Sequence, residues 1–252
     1  MSAQATARRA LGLLDLTDLS ETCSQLAIDK LCHRAVTPHG KVAAICIWPQ
    51  YIRHAAGLLK GAGVKIATVI NFPKGGTDID RALEDTHEAL RDGADEIDLV
   101  MPYHAFLQGD EAALRDMVSA IADATAPRHV LKVILETGAL SRPELILRAS
   151  QLAIAAGANF IKTSTGKIPV SATPEAAKIM LHAIKASGQP VGFKAAGGVR
   201  SVEDAALYLG LADEIMGPGW ASPATFRFGA SGLLDALLAI LTGSSVASKE
   251  GY

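Results

Sequence analysis

The sequence predicts an α/β domain closed into a (β/α)8 barrel. Three observations carry that expectation. Short β-branched or apolar runs recur along the 252 residues. Ala- and Leu-rich stretches with charges at helical spacing separate them, at about 30 residues per unit. The junctions repeat as well: GAGVKI, DGADEI, AGANFI and LGLADEI each set a glycine at an expected helix end, then a small residue, then a strand. Glycine there can take the left-handed conformation that closes a helix.

The eight expected strands are LLDLT (13–17), KVAAICI (41–47), KIATVI (65–70), EIDLVM (96–101), HVLKVILE (129–136), NFIKT (159–163), VGFKA (191–195) and DEIMG (213–217). Seven helical stretches lie between them. TPEAAKIMLHAIKASG opens with Thr173 as N-cap and Pro174 in the first turn, a strong start signal. An open doubly wound sheet would favour a GxGxxG turn after the first strand, and LLDLTDLSET has none. No break in composition divides the chain, so 1–252 reads as one barrel domain. MSAQATARRALGLL carries two arginines and no acid. A transit peptide would also have that composition, but a short amphipathic helix leading into the barrel is the preferred reading. The tail 243–252, ending SSVASKEGY, is small and polar and reads as mobile.

Composition narrows the function. Apolar residues make up 49% and aromatics 5%, as helices packed on buried strands require. The net charge of −2 offers no electrostatic case for nucleic acid or an anionic membrane surface, and no run reaches the length of a membrane span. Cys23, Cys32 and Cys46 form no CxxC pair and are odd in number, which fits a reducing cytoplasm. The seven histidines make no HxH or HExxH pair, so no metal is expected.

A barrel enzyme keeps its chemistry at the C-terminal ends of its strands. Polar residues fall there: Asp15, Cys46, Asn71, Asp98, Glu136, Lys162 and Lys194. By the two-residue period of a strand, Asp98, Lys162 and Lys194 face away from their apolar neighbours, toward the barrel mouth. Lys132, earlier in its strand, reads as a deeper ion-pair partner. For one lysine, a strand-end charge reaching solvent is the simpler reading; three convergent charges are harder to explain so. Desolvation and a neighbouring cation depress the pKa of a lysine, and a neutral lysine attacks a carbonyl to form a Schiff base. The second lysine would supply the cationic field and the aspartate would move protons. Such chemistry needs no cofactor.

Three loops suggest an anion seat. TSTGK follows Lys162 and contains Thr165, Gly166 and Lys167. AAGGVR follows Lys194 and contains Gly197, Gly198 and Arg200. FRFGASGLL contains Gly229, Ser231 and Gly232 and leads into an apolar helix. Glycines let backbone N–H groups approach phosphate oxygens, and a helix N-terminus adds its dipole. TSTGK is not a nucleotide P-loop, because Ile168 follows Lys167 where Ser or Thr is needed. The residues by themselves lead to a Schiff-base enzyme acting on a small phosphorylated carbonyl compound. A Schiff-base aldolase of other specificity, or a sugar-phosphate sensor that does not catalyse, fits the same features.

At LLDLTDL, AAICIWPQYI, IATVINFP, GADEIDLVMPY, LKVILETG, AGANFIKTSTGK, VGFKAAGGVR and FRFGASGLL the chain resembles the class I deoxyribose-phosphate aldolase family, over nearly its whole length. The resemblance implies a TIM barrel and the reversible cleavage of 2-deoxy-D-ribose 5-phosphate to glyceraldehyde 3-phosphate and acetaldehyde. It implies Lys162 as the Schiff-base lysine, with Lys194 lowering its pKa and joining Asp98 in the proton relay. Asp15 and Thr17 would orient the second lysine and a substrate hydroxyl, Cys46 would lie beside the nucleophile, and the terminal Tyr252 would assist proton transfer. Two positions depart from the family pattern: Ala195 replaces a proline, and Gly232 replaces a serine. The first suggests a less rigid loop, the second a lost phosphate hydroxyl. Trp48 and Tyr51, just past the second strand, read as exposed apolar residues suited to a homodimer interface or a pocket wall.

Overall fold

A computed structural model describes residues 2–243. Its eight parallel strands close into a barrel: β1 (Leu14–Asp18), β2 (Ala44–Ile47), β3 (Lys65–Ile70), β4 (Glu96–Val100), β5 (Val130–Ile134), β6 (Phe160–Lys162), β7 (Gly192–Ala196) and β8 (Phe226–Ala230). Each strand pairs with its neighbour in sequence. β8 returns to β1, with Leu14 opposite Phe228 and Asp15 opposite Gly229. The predicted barrel is therefore correct. A two-residue antiparallel ribbon, Val36–Thr37 with Gly40–Lys41, precedes β2, so the expected strand from 41 begins late, at Ala44.

One expected strand is wrong. DEIMG lies in the helix Val202–Met216, and the eighth strand is FRFGA. Ser201 and Asp204 form a reciprocal capping box that starts this helix, and its apolar face continues to Ile215 before Gly217 ends it. Gly210 of LGLADEI accordingly sits inside the helix and not at its end. Two other junction glycines behave as expected: Gly93 caps its helix in the left-handed conformation, and Gly157 follows Pro143–Ala155 with positive φ; in GAGVKI the helix ends earlier, at Leu58, with Leu59 as its cap. Thr173 caps Pro174–Ser187 by accepting from the Ala176 amide.

The outer face of the barrel holds the main core. Leu14, Leu16, Ile45, Ile47, Ile97, Leu99, Leu131, Val133, Ile161, Phe193, Phe226 and Phe228 are buried against the helices. Alternation then turns the intervening residues into the barrel. Cys46, Ala67 and Val69 form a small separate apolar wall with Leu19 there, and much of the rest is charged. The N-terminal segment is the expected amphipathic helix, Ala3–Leu11. It packs on Val202–Met216 and on the last helix, Leu233–Thr242, with Arg9 paired to Asp213 at 2.5 Å. Among the described residues no helix is long and apolar enough to cross a membrane. The tail from Ser244 onward, Tyr252 included, lies outside the described residues.

Candidate active site

The barrel brings together Asp15 of β1, Glu96 and Asp98 of β4, Lys132 of β5, Lys162 of β6, Lys194 of β7 and Arg227 of β8. None of these seven is more than 4% exposed. Parallel registers align them: Asp98 lies opposite Lys132, Lys162 opposite Lys194, and Lys194 opposite Arg227. Asp98 is the hub. Its Oδ2 accepts from Lys162 and Lys194, both at 2.7 Å, and its Oδ1 accepts from Lys132 at 2.7 Å. Lys194 also donates to Asp15 Oδ2 at 2.5 Å. Lys132 reaches Glu96 at 2.6 Å, so its expected role as a deep ion-pair partner matches the geometry. Arg227 closes the floor, on Asp15 Oδ1 at 2.6 Å and on both oxygens of Glu96.

The electrostatics separate the three lysines. Burial lowers all three. For Lys194 the carboxylates of Asp15 and Asp98 outweigh it and raise the pKa. For Lys132, Asp98 and Glu96 do the same. Lys162 alone is lowered: burial is the largest cause, Asp98 opposes it, and the Lys194 ammonium adds to it. Desolvation therefore outranks the neighbouring cation that sequence reasoning emphasised. Burial would push both aspartates up, but the surrounding cations hold Asp15 and Asp98 below the usual carboxylate range. The Cys46 thiol, 4.0 Å from Asp98, is pushed up by burial first and then by that carboxylate.

Above the cluster opens a cavity of about 320 Å³, with Lys162 in its lining. Asp98 and Lys194 were expected at the mouth but are fully buried and do not line the cavity. Lys194 is the middle residue of β7 and Asp15 the second of β1, rather than strand ends. The lining also holds Thr17, Thr165, Gly166, Lys167, Gly197, Gly198, Arg200, Gly229, Ser231 and Gly232. Every residue assigned to the anion seat thus faces one space.

Local chemistry shapes that space. Gly197 and Gly198 both have positive φ, and a Cβ at Gly197 would lie 2.5 Å from that of Ser171. Gly229 is small for a different reason. A Cβ there would stand 2.9 Å from Cε of Lys194 and 2.9 Å from Cβ of Ala196, so the missing side chain leaves room for the lysine stem and its neighbour on β7. Gly232 is the N-cap of Leu233–Thr242 and offers no side-chain cap, which leaves amide donors directed at the cavity. Lys167 Nζ donates to the Leu19 carbonyl at 2.7 Å, tying the loop after β6 to the loop after β1.

Several expectations need adjusting. The Thr17 hydroxyl bonds its own strand at the Asp15 carbonyl and not Lys194. Ala195 sits inside β7 opposite Phe228, so its backbone is held by the sheet and not by a loop. Trp48 and Tyr51 are half-buried, donating to the carbonyls of Ser20 and Cys23. Glu136 lies two residues past β5 in the left-handed conformation, where its carboxylate accepts from the Thr165 hydroxyl and amide. Burial, the largest influence, raises its pKa. Glu96 and Arg227 were missed. Glu96 was legible, since it shares the inward face of EIDLV with Asp98. Arg227 was hidden by the misassigned last strand.

Residues 10–236 match the model of the DeoC/LacD family aldolases. The deoxyribose-phosphate aldolase of Agrobacterium fabrum is 55% identical over 244 residues, covering 96% of this chain and 94% of that protein. The crystal structure of a Toxoplasma gondii protein provisionally assigned as a deoxyribose-phosphate aldolase superimposes with a TM-score of 0.88, at 25% identity over 97% of this chain and 99% of the other. A tetrameric deoxyribose phosphate aldolase from Aeropyrum pernix gives a TM-score of 0.77, at 28% identity over 95% and 92%. The chain belongs to the DeoC/LacD aldolase family.

Proposed function

We propose that this chain, one barrel domain along its length, is a deoxyribose-phosphate aldolase. It cleaves 2-deoxy-D-ribose 5-phosphate reversibly to glyceraldehyde 3-phosphate and acetaldehyde. The observation that carries the reading is Lys162: a buried amine in the lining of a cavity, with one shared carboxylate and a depressed pKa, facing a seat of backbone amides and cations.

In this mechanism neutral Lys162 attacks C1 of the open-chain sugar and expels water, giving an iminium ion. Asp98, acting through water and held by the Lys194 ammonium, takes the proton from the C3 hydroxyl. The C2–C3 bond breaks and its electron pair moves into the iminium, forming an enamine. Glyceraldehyde 3-phosphate leaves, the enamine is protonated at carbon, and hydrolysis releases acetaldehyde and the free amine. Asp15 holds Lys194 in place and Cys46 packs beside the cluster. The phosphate rests on Gly166, Lys167, Gly197, Gly198, Arg200, Gly229, Ser231 and Gly232, with Thr165 fixing its loop to Glu136. Tyr252 is assigned an assisting role in proton transfer, on the family resemblance alone.

Borohydride reduction in the presence of substrate tests the assignment. The added mass is expected on Lys162; a label on another residue, or full activity in Lys162→Ala, overturns it. The three free cysteines fit a cytoplasmic setting. A homodimer is the proposed assembly, against the tetramer of the Aeropyrum pernix relative, and light scattering on the purified protein decides between them.

A further inference from the structure

Among the described residues, the barrel strands turn four cations, Lys132, Lys162, Lys194 and Arg227, inward against three carboxylates, Asp15, Glu96 and Asp98; a fourth buried carboxyl, Glu136, lies past β5 and is engaged by Thr165. A buried cluster with an unmatched charge is costly, and it loses that charge by releasing a proton from its least-held cation. Arg227 cannot do this. It is gripped by Asp15 and Glu96, and its Nε donates to the Pro223 carbonyl at 2.6 Å. Lys132 lies between Glu96 and Asp98, with Asp15 at 3.7 Å. Lys194 lies between Asp15 and Asp98. Lys162 pairs with Asp98 alone, at an oxygen that Lys194 shares. Its remaining ionisable surroundings are the Cys46 thiol and the Glu136 carboxyl, itself engaged by Thr165. Asp18, Lys167 and Arg200 stand at the solvated rim of the cavity, where their fields are screened.

With Lys162 as the reacting amine of the proposed aldolase, on which this step rests, we infer a role for two residues of the barrel floor. Arg227 and Glu96, beneath the cavity lining, are positioning residues that fix the charge balance of the whole cluster. They thereby decide how much of Lys162 is free amine. Arg227 supplies the surplus positive charge; Glu96 limits that surplus to one. Neither lines the cavity, so neither acts by touching substrate.

The balance predicts opposite effects from two neighbours. Arg227→Met leaves three cations against three carboxylates, so Lys162 keeps its proton to higher pH. Glu96→Gln leaves four against two, so Lys162 loses it at lower pH. The double variant leaves three against two and restores a surplus of one. A unit charge roughly 10 Å from an amine, at an effective dielectric of about 20, moves its pKa by about one unit.

The experiment traps acetaldehyde on Lys162 with cyanoborohydride across a pH series and quantifies the labelled peptide by mass spectrometry. Acetaldehyde carries no ionisable group, so differences between variants in the acid limb of the trapping rate report on the protein. The limb is expected to move up by about one pH unit in Arg227→Met, down by about one in Glu96→Gln, and back to the wild-type position in the double variant. Thermal unfolding establishes which variants fold. If Arg227→Met does not, a limb lowered in Glu96→Gln and restored in the double variant supports the inference, and an unmoved limb in Glu96→Gln overturns it. Shifts of both single variants in the same direction also overturn it. A wild-type label away from Lys162 instead defeats the aldolase reading itself, so the two failures are distinguishable.

Discussion

The two faces of the same eight strands are built from different chemistry. Outward, Leu14, Ile97, Leu131, Ile161 and Phe193 pack on helices and make the apolar core. Inward, on alternate residues of those strands, Asp15, Glu96, Asp98, Lys132, Lys162 and Lys194 form a buried ion cluster that meets the cavity at Lys162. The outer face stabilises the barrel through removal of apolar surface from water. The inner face gains far less, since desolvation consumes much of what each ion pair returns. The difference teaches where stability and reactivity reside: a strand folds by one set of residues and reacts by the other.

That division can be broken or sharpened by substitution. The largest effect is expected at Lys162→Ala, with kcat/KM reduced at least about 10³-fold while the melting temperature holds or rises, because a desolvated amine is removed. A large loss of stability with activity retained would erase the distinction. Phe193→Ala, on the neighbouring strand and the outer face, is expected to do the reverse. It costs about 3–5 kcal/mol in denaturant unfolding, with kcat of the folded fraction unchanged. Asp98→Ala should fail on both counts, since three lysine side chains lose their common partner, at about 3–5 kcal/mol.

The pH dependence of stability tests the inner face alone. Asp15 and Asp98 titrate below the ordinary carboxylate range in the folded protein. Their contribution is therefore complete above that range and is lost as pH falls through their folded values. Lys162 has the opposite kind of shift, a lysine held below its ordinary value. The unfolded chain then binds its proton where the folded one does not, so stability rises with pH through that window, up to about pH 10.4. Urea midpoints measured across pH should show this rise, and Lys162→Met should remove it. An unchanged slope in the variant would contradict the depressed value.

The smallest effect is expected at Gly232→Ser. No atom lies within 4 Å of a Cβ built there, so a hydroxyl can be added without strain. One more donor to phosphate should lower KM for deoxyribose 5-phosphate by about 3- to 10-fold and leave unphosphorylated deoxyribose unaffected. Equal effects on the two sugars would place the residue outside the phosphate seat.

Much of this arrangement was legible beforehand, for identifiable reasons. EIDLV, FIKT and GFKA interrupt apolar strands with charge at the inward phase, which is where Asp98, Lys162 and Lys194 are found. Thr173 and Pro174 marked a helix start because capping is local. Depth was not legible. Strand register sets Asp98 two residues deeper than Lys162, while Lys194, level with Lys162, is covered all the same; both depend on all eight strands at once. DEIMG misled because an apolar helix end and a short buried strand have the same composition; the signal that decides it, the cap at Ser201, lies a dozen residues upstream.

One feature of β8 reaches further than its size suggests. Arg227 and Gly229 are successive inward positions of one strand; the first brings a charge and the second an absence. The space not occupied at Gly229 is where the Lys194 stem runs. A single added methyl there would crowd a side chain on the adjacent strand, whose ammonium stands between Asp15 and Asp98. Proton affinity at Lys162 is thus exposed to a steric change two strands away, and a glycine becomes part of the acid–base chemistry without owning a single titratable atom.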